Sequence, residues 1–137
     1  MARGYDNNNP GNIRCSRVVY LGEVLPSTDT AFKQFKTMAW GYRAMFVLLH
    51  TYRIKHNLKT LREMIERYAP PTENDTTSYV SFVSMRTRIA DIQSVDTLNQ
   101  RQMVSIVAAM ARMENGAEPD IAEVMEGWEL FVQHPVK

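Results

Sequence analysis

Hydrophobic and polar positions along the chain fall into two regimes that meet near residue 37. Upstream, no regular period persists. Asn7-Asn8-Asn9-Pro10-Gly11-Asn12 is dense in turn formers, and Asn and Gly both tolerate positive φ. Arg17 to Val24 is β-branched and aromatic around Gly22, which predicts a short strand or hairpin. Ala31 to Phe35 supplies a second strand after a turn at Pro26-Ser27-Thr28-Asp29. From Met38 onward the period becomes helical, with Ala44, Val47, Leu48 and Tyr52 recurring up to about His56 and Thr37 placed as N-cap. Thr60 caps a short helix over 61–68, whose stripe is Leu61, Met64, Ile65 and Tyr68, and Pro70-Pro71 ends it. Asp75 or Thr76 caps a helix over 77–89 with Tyr79, Phe82, Val83 and Arg86 on one face. Thr97 and Gln100 have capping-box spacing for a helix that runs to Glu114 and stops at Asn115-Gly116. Pro119 suits the first turn of a last helix reaching about Val132. The expected architecture is one mainly α domain over 1–137: about five helices beside a small β-hairpin lobe.

Met103 to Ala111 is apolar nearly all round, which predicts the buried central helix of the fold. Met103, Ile106, Val107 and Met110 share a face, and the next position on it is Glu114. A carboxyl there is desolvated, so its pKa rises toward the range of a general acid. An acid in the last turn also opposes the helix dipole, with Arg112 as a nearby compensating cation. The plainer alternative is that Glu114 frays into solvent at a helix end.

Composition narrows the function classes. Sixteen Lys and Arg against fifteen Asp and Glu leave a net charge of +1, which argues against a non-specific nucleic-acid binder. With 45% hydrophobic residues the chain can build a core rather than stay disordered. A single cysteine, Cys15, excludes an internal disulfide and a cysteine zinc cluster. His50, His56 and His134 lack metal-ligand spacing, so neither metal nor cofactor is expected. The apolar stretches are far shorter than the ~20 residues that span a bilayer. The N-terminus has no apolar signal-peptide core, so delivery by a route other than standard export is expected.

Asn8-Asn9-Pro10-Gly11-Asn12-Ile13-Arg14, Gly22-Glu23, Phe32-Lys33-Gln34-Phe35 and Gly41-Tyr42-Arg43-Ala44 together resemble a phage and prophage family of peptidoglycan-cleaving virion proteins. The resemblance continues through Ala69 to Thr76 and Tyr79, covering most of residues 3–83. The order of elements is also similar to bacterial glucosaminidases of the lysozyme superfamily. In those enzymes, however, the helix ending in the catalytic Glu precedes the Asn-rich segment. Here a similar piece, Ala108 to Gly116 with Glu114-Asn115-Gly116, comes near the C-terminus and is like the context of goose-type lysozymes and lytic transglycosylases. The resemblance thus implies a lysozyme-like α+β domain in circularly permuted order.

It further implies a lytic transglycosylase or muramidase acting on the MurNAc-β-1,4-GlcNAc bond of peptidoglycan glycan strands, with Glu114 as acid and then base. A hydrolase would need a second carboxylate. Glu23, Asp29, Glu73 and Asp75 are the candidates, and Glu23 leads because the hairpin lobe faces the cleft in this superfamily. Asp75 reads equally as a cap and Glu73 as a solvated loop charge. Asn8, Asn9, Asn12 and Tyr79 become candidate substrate-binding residues, with turn chemistry and core packing as their alternatives. Trp40 and Tyr42 offer a sugar-stacking face or simply core. The location implied is the virion, or the host cytoplasm with delivery to the periplasm, and other virion proteins are possible partners. The competing reading is a non-enzymatic virion structural or assembly protein that keeps a lysozyme-like fold.

Overall fold

The computed structural model describes residues 2–72 and 74–135. It is mainly α, with helices α1 (Arg3–Asp6), α2 (Met38–His56), α3 (Leu61–Tyr68), α4 (Thr76–Thr87), α5 (Gln100–Asn115) and α6 (Ile121–Gln133). Strands β1 (Glu23–Val24) and β2 (Gln34–Phe35) pair antiparallel, Glu23 opposite Phe35 and Val24 opposite Gln34. An isolated bridge between Arg14 and Phe32 extends this small lobe back toward the Asn-rich segment.

The caps explain where the helices begin. Thr37 accepts from the Trp40 N–H at 3.3 Å, and Thr60 and Glu63 form a reciprocal capping box. The Asp75 side chain receives the Ser78 N–H at 3.2 Å. The expectation for α5 is corrected: Asn99, not Thr97, is its N-cap, accepting from the Gln102 N–H at 2.9 Å. Thr97 is buried instead, its hydroxyl 2.7 Å from His50 Nδ1, so a tertiary partner has taken the side chain from the local role. Asp120 caps α6, which leaves Pro119 before the cap rather than inside the first turn.

The most deeply buried helix is α2, which corrects the central position expected for the helix carrying Met103 to Ala111. Between Ala39 and Leu49 only Trp40 and Leu48 are not fully buried. Small residues let its neighbours approach: a Cβ on Gly127 of α6 would stand 2.5 Å from Tyr42 Cβ and 3.0 Å from the Ala39 carbonyl oxygen. Phe46 then packs edge-on against Trp128, centroids 5.1 Å apart, and against Phe131. Arg43, a charge inside this apolar run, is accommodated because its guanidinium donates to the His134 carbonyl at the end of α6. That carbonyl carries the partial negative charge of a helix C-terminus. Helix α5 flanks α2, packed between α4 and α6, and none of its residues from 102 to 115 is exposed. Among the described residues no helix is long and apolar enough to cross a membrane.

Candidate functional site

Glu114 lies in the last turn of α5 on the stripe that Met103, Ile106, Val107 and Met110 bury. The helix ends at Gly116, whose φ of +71° needs no strain in a residue without Cβ. Asn115 fastens this end to the beginning of the chain. Its amide donates to the Pro10 carbonyl at 2.8 Å and its side-chain oxygen accepts from the Tyr5 N–H at 3.0 Å. Gly4 of α1 permits that closeness, because a Cβ there would come within 2.5 Å of Asn115 Oδ1 and 2.7 Å of Asn12 Oδ1.

Two donors hold the carboxyl group. Asn12, left-handed at φ +50°, donates from Nδ2 to Glu114 Oε1 at 3.1 Å and to the Glu114 carbonyl at 3.3 Å. Tyr79 of α4 donates its hydroxyl to Oε2 at 3.0 Å. Among the described residues no cation pairs with Glu114. Arg112, the compensating charge expected from the sequence, turns to Glu118 at 3.1 Å, and Arg86 joins it there. Burial therefore dominates and pushes the Glu114 carboxyl above its ordinary value, the bonds from Asn12 and Tyr79 pulling it partly back. The two neighbouring phenols, Tyr79 and Tyr68, are held well above their ordinary range chiefly by burial, with the Glu114 charge adding to it. Both remain hydroxyl donors near neutral pH.

Glu114 opens onto a groove of about 410 Å³ whose walls include Asn12, Arg14, Phe32, Tyr52 and Tyr68. Tyr68 donates to the Gly11 carbonyl, and the Arg14 guanidinium lies 5.4 Å from the Phe32 ring centroid. Among the described residues lining it, Glu114 is the one carboxylate. A larger hollow of about 720 Å³ lies between α3 and α4. Of its three acids, Asp75 is committed to its cap, Asp91 to Arg62, and Glu66 is exposed to solvent, so the smaller groove with its desolvated carboxyl is the better candidate for chemistry.

The sequence-derived candidates separate. Asn12 and Tyr79 meet Glu114; Asn8, Asn9 and Glu23 do not. Asn8 donates to the carbonyls of Phe35 at 3.2 Å and Lys36 at 3.4 Å, away from the groove. Asn9 is wholly buried: its amide serves the Ile13 and Lys33 carbonyls at 3.0 and 2.9 Å, and its oxygen takes the Ile13 N–H. Both tie the Asn-rich segment to the hairpin lobe, and neither lines the groove. Glu23 has both oxygens on Lys33 Nζ, at 3.1 and 3.0 Å, and also accepts the Tyr20 N–H. It is the acidic half of a buried ion pair and does not line the groove, so the structure does not bring it to Glu114. Asp29 is committed to Arg3, Asn7 and the N–H groups of Ala31 and Phe32, which hold it far below the carboxylate range. Glu73 lies outside the described residues. Tyr42 is core, and Trp40 packs against His134.

Tyr68 and Asn115 are the residues that sequence reasoning passed over. Tyr68 closes an apolar stripe and so reads as core, and Asn115 reads as a stop signal for a helix. A phenol at the end of a stripe, facing the turn-rich segment, was the available sign. Among the described residues no group of three or more His, Cys, Asp and Glu side chains could hold a metal ion.

A groove beside a half-buried helix-end carboxyl, lined in part by the N-terminal segment, sits in a chain that belongs to a family of bacteriophage proteins. The relative that places it there is Protein P5 of Pseudoalteromonas phage PM2. The two are 38% identical over 132 residues, covering 93% of this chain and 81% of Protein P5. No protein-family model matches the chain.

Proposed function

We propose that the protein cleaves the MurNAc-β-1,4-GlcNAc bond of peptidoglycan as a lytic transglycosylase, using Glu114 alone as acid and then base. The observation that carries this reading is a desolvated carboxyl that, among the described residues, has no cationic partner and is the one acid lining its groove. Each Glu114 oxygen accepts one hydrogen bond, which leaves a second site on either oxygen for the proton to be delivered. In the first step that proton passes to the bridging oxygen as the C1–O bond breaks and positive charge grows at the ring. The Glu114 carboxylate so formed then takes the proton of the MurNAc 6-hydroxyl while O6 bonds to C1. The product is a 1,6-anhydro ring, Glu114 returns protonated, and no water is consumed. The substrate's N-acetyl group assists the departure.

A single carboxylate among the described lining residues favours this route over hydrolysis, which in its two-carboxylate form needs a partner ~5–9.5 Å away. The lysozyme-like fold in permuted order is part of the same reading. Its support is the seam between Asn115 and the Tyr5–Asn12 segment, which joins the Glu-bearing helix to the Asn-rich run that follows it in the unpermuted order. Kinship with a phage protein supports delivery to the cell wall with the virion or during lysis. Mass spectrometry of muropeptides released from purified sacculi tests the reaction. Anhydro ends are expected; reducing ends would identify a hydrolase, and no release would leave a structural protein.

Tyr79→Phe tests the setting of the acid. Loss of the hydroxyl is expected to lower the turnover rate by up to about a hundredfold through misplacement of the carboxyl. It also removes a bond that favours the ionised form, so the alkaline limb of the pH–rate profile moves upward. An unchanged limb would mean that Tyr79 does not act through Glu114.

A further inference from the structure

The lobe formed by residues 14–36 is built with its charges inside and its hydrocarbon outside. The Lys33 and Glu23 side chains are 1% and 3% exposed, and Lys33 Nζ also donates to the Val18 and Ser16 carbonyls at 2.8 and 3.4 Å. The loop from 16 to 23 is thus wrapped around a buried ammonium. On its outer surface Val18 is 59% exposed, Val19 62%, Leu21 50% and Leu25 61%. Single exposed apolar residues are ordinary, but a contiguous group with a polar rim marks an interaction surface.

The rim has one sign. Arg14, Arg17 and Lys36 are exposed and form no ion pair among the described residues. The two acids of this stretch within the described residues are both taken, Glu23 by Lys33 and Asp29 by Arg3. Three exposed cations without an ion-pair partner among the described residues thus share this lobe with four projecting aliphatic side chains, and the lobe's own described acids are both paired. Side chains exposed by half or more stand out from the lobe rather than line a groove.

We propose that this lobe docks on an anionic lipid bilayer, with Val18, Val19 and Leu21 entering the headgroup region and Arg14, Arg17 and Lys36 meeting lipid phosphates. Apolar burial and attraction to anionic headgroups then act together, as they do for other interfacial elements. Arg14 belongs both to this rim and to the wall of the Glu114 groove, so docking sets the mouth of the groove close to the membrane surface. The surface stands on its own and does not depend on the reaction assigned to Glu114.

Flotation of the purified protein with vesicles tests it. Vesicles of phosphatidylglycerol and phosphatidylethanolamine are expected to carry the protein upward, and pure phosphatidylcholine vesicles to carry far less. The Val18→Ser/Val19→Ser/Leu21→Ser variant should stay at the bottom of the gradient with a thermal midpoint near that of the parent, because the altered side chains are solvent-exposed. Arg17→Gln/Lys36→Gln should weaken binding roughly fivefold for each cation removed. Failure of the parent to float with anionic vesicles would overturn the proposal, as would unchanged flotation of the triple variant. Self-association that needs Val18, Val19 and Leu21 without any vesicle binding would assign the surface to a second copy of the chain and overturn it equally.

Discussion

Glu114→Gln is expected to lower peptidoglycan cleavage by about 10²–10⁴-fold or more, the usual contribution of a positioned general acid, while making the protein more resistant to heat at neutral pH. The shape is nearly kept. The Gln amide oxygen still accepts from one of the two donors, and the Tyr79 hydroxyl can turn from donor to acceptor toward the amide nitrogen. The stability gain follows from linkage. Burial raises the folded-state pKa of Glu114 above its unfolded value. The stability due to its protonated form is therefore fully present below the unfolded pKa, about 4.3, and is lost as pH rises through the folded pKa. Gln mimics the protonated form at every pH. The difference in midpoint between variant and parent should thus be small in acid, grow across that window and remain constant above it. Differential scanning calorimetry at several pH values, alongside a sacculus-release assay, reads both effects. Full activity in the variant would end the assignment of Glu114, and a stability gain independent of pH would sink its electrostatic explanation.

For Glu23→Gln the expectation is the reverse: stability falls and chemistry survives. Removing one charge of a buried pair leaves Lys33 uncompensated, which costs about 3 to 5 kcal/mol. Lys33 keeps only the Ser16 and Val18 carbonyls and a neutral amide as partners. Urea denaturation should show the loss as a lower midpoint. Assays at a temperature where the variant is still folded should show cleavage close to that of the parent. Replacing both partners, Glu23→Leu with Lys33→Met, should cost less than Glu23→Gln alone, because no charge is then left buried. Activity lost with stability intact would return Glu23 to the catalytic role that its place in the sequence suggested.

These two carboxylates show how much of the site could be read without coordinates. Glu114 was legible because helical phase is periodic: four apolar positions fix a face, and the next position on it inherits their burial. Nothing comparable exists for Glu23, since its environment depends on Lys33, ten positions away across a hairpin. Asn9 is the same case, its partners being carbonyls at Ile13 and Lys33 that no local pattern announces. The helices over 38–56 and 61–68 came out at their expected ends because Thr37 and Thr60 cap them with no competitor nearby. The start of α5 did not, since Thr97 and Asn99 both suit the role and His50 settled the choice from a distant helix. Helix α1 is four residues long, too short for any period, and its anchors lie across the fold at Asn115 and Ala117. That α2 lies deeper than α5 also depended on tertiary fit, namely the approach that Gly127 allows.

The seam between Asn115 and the first dozen residues also bears on the order of events during synthesis. Asn12, Tyr79 and Glu114 are drawn from nearly the whole length of the chain, and the largest helix interface joins α2 to α6, which is made last among the helices. Such long sequence separations defer the loop closures that reward folding. A ribosome-bound chain lacking α5 and α6 has neither the carboxyl group nor the cover for Phe46. Glu114 and its partners Asn12 and Tyr79 therefore come together only after α5 has been made.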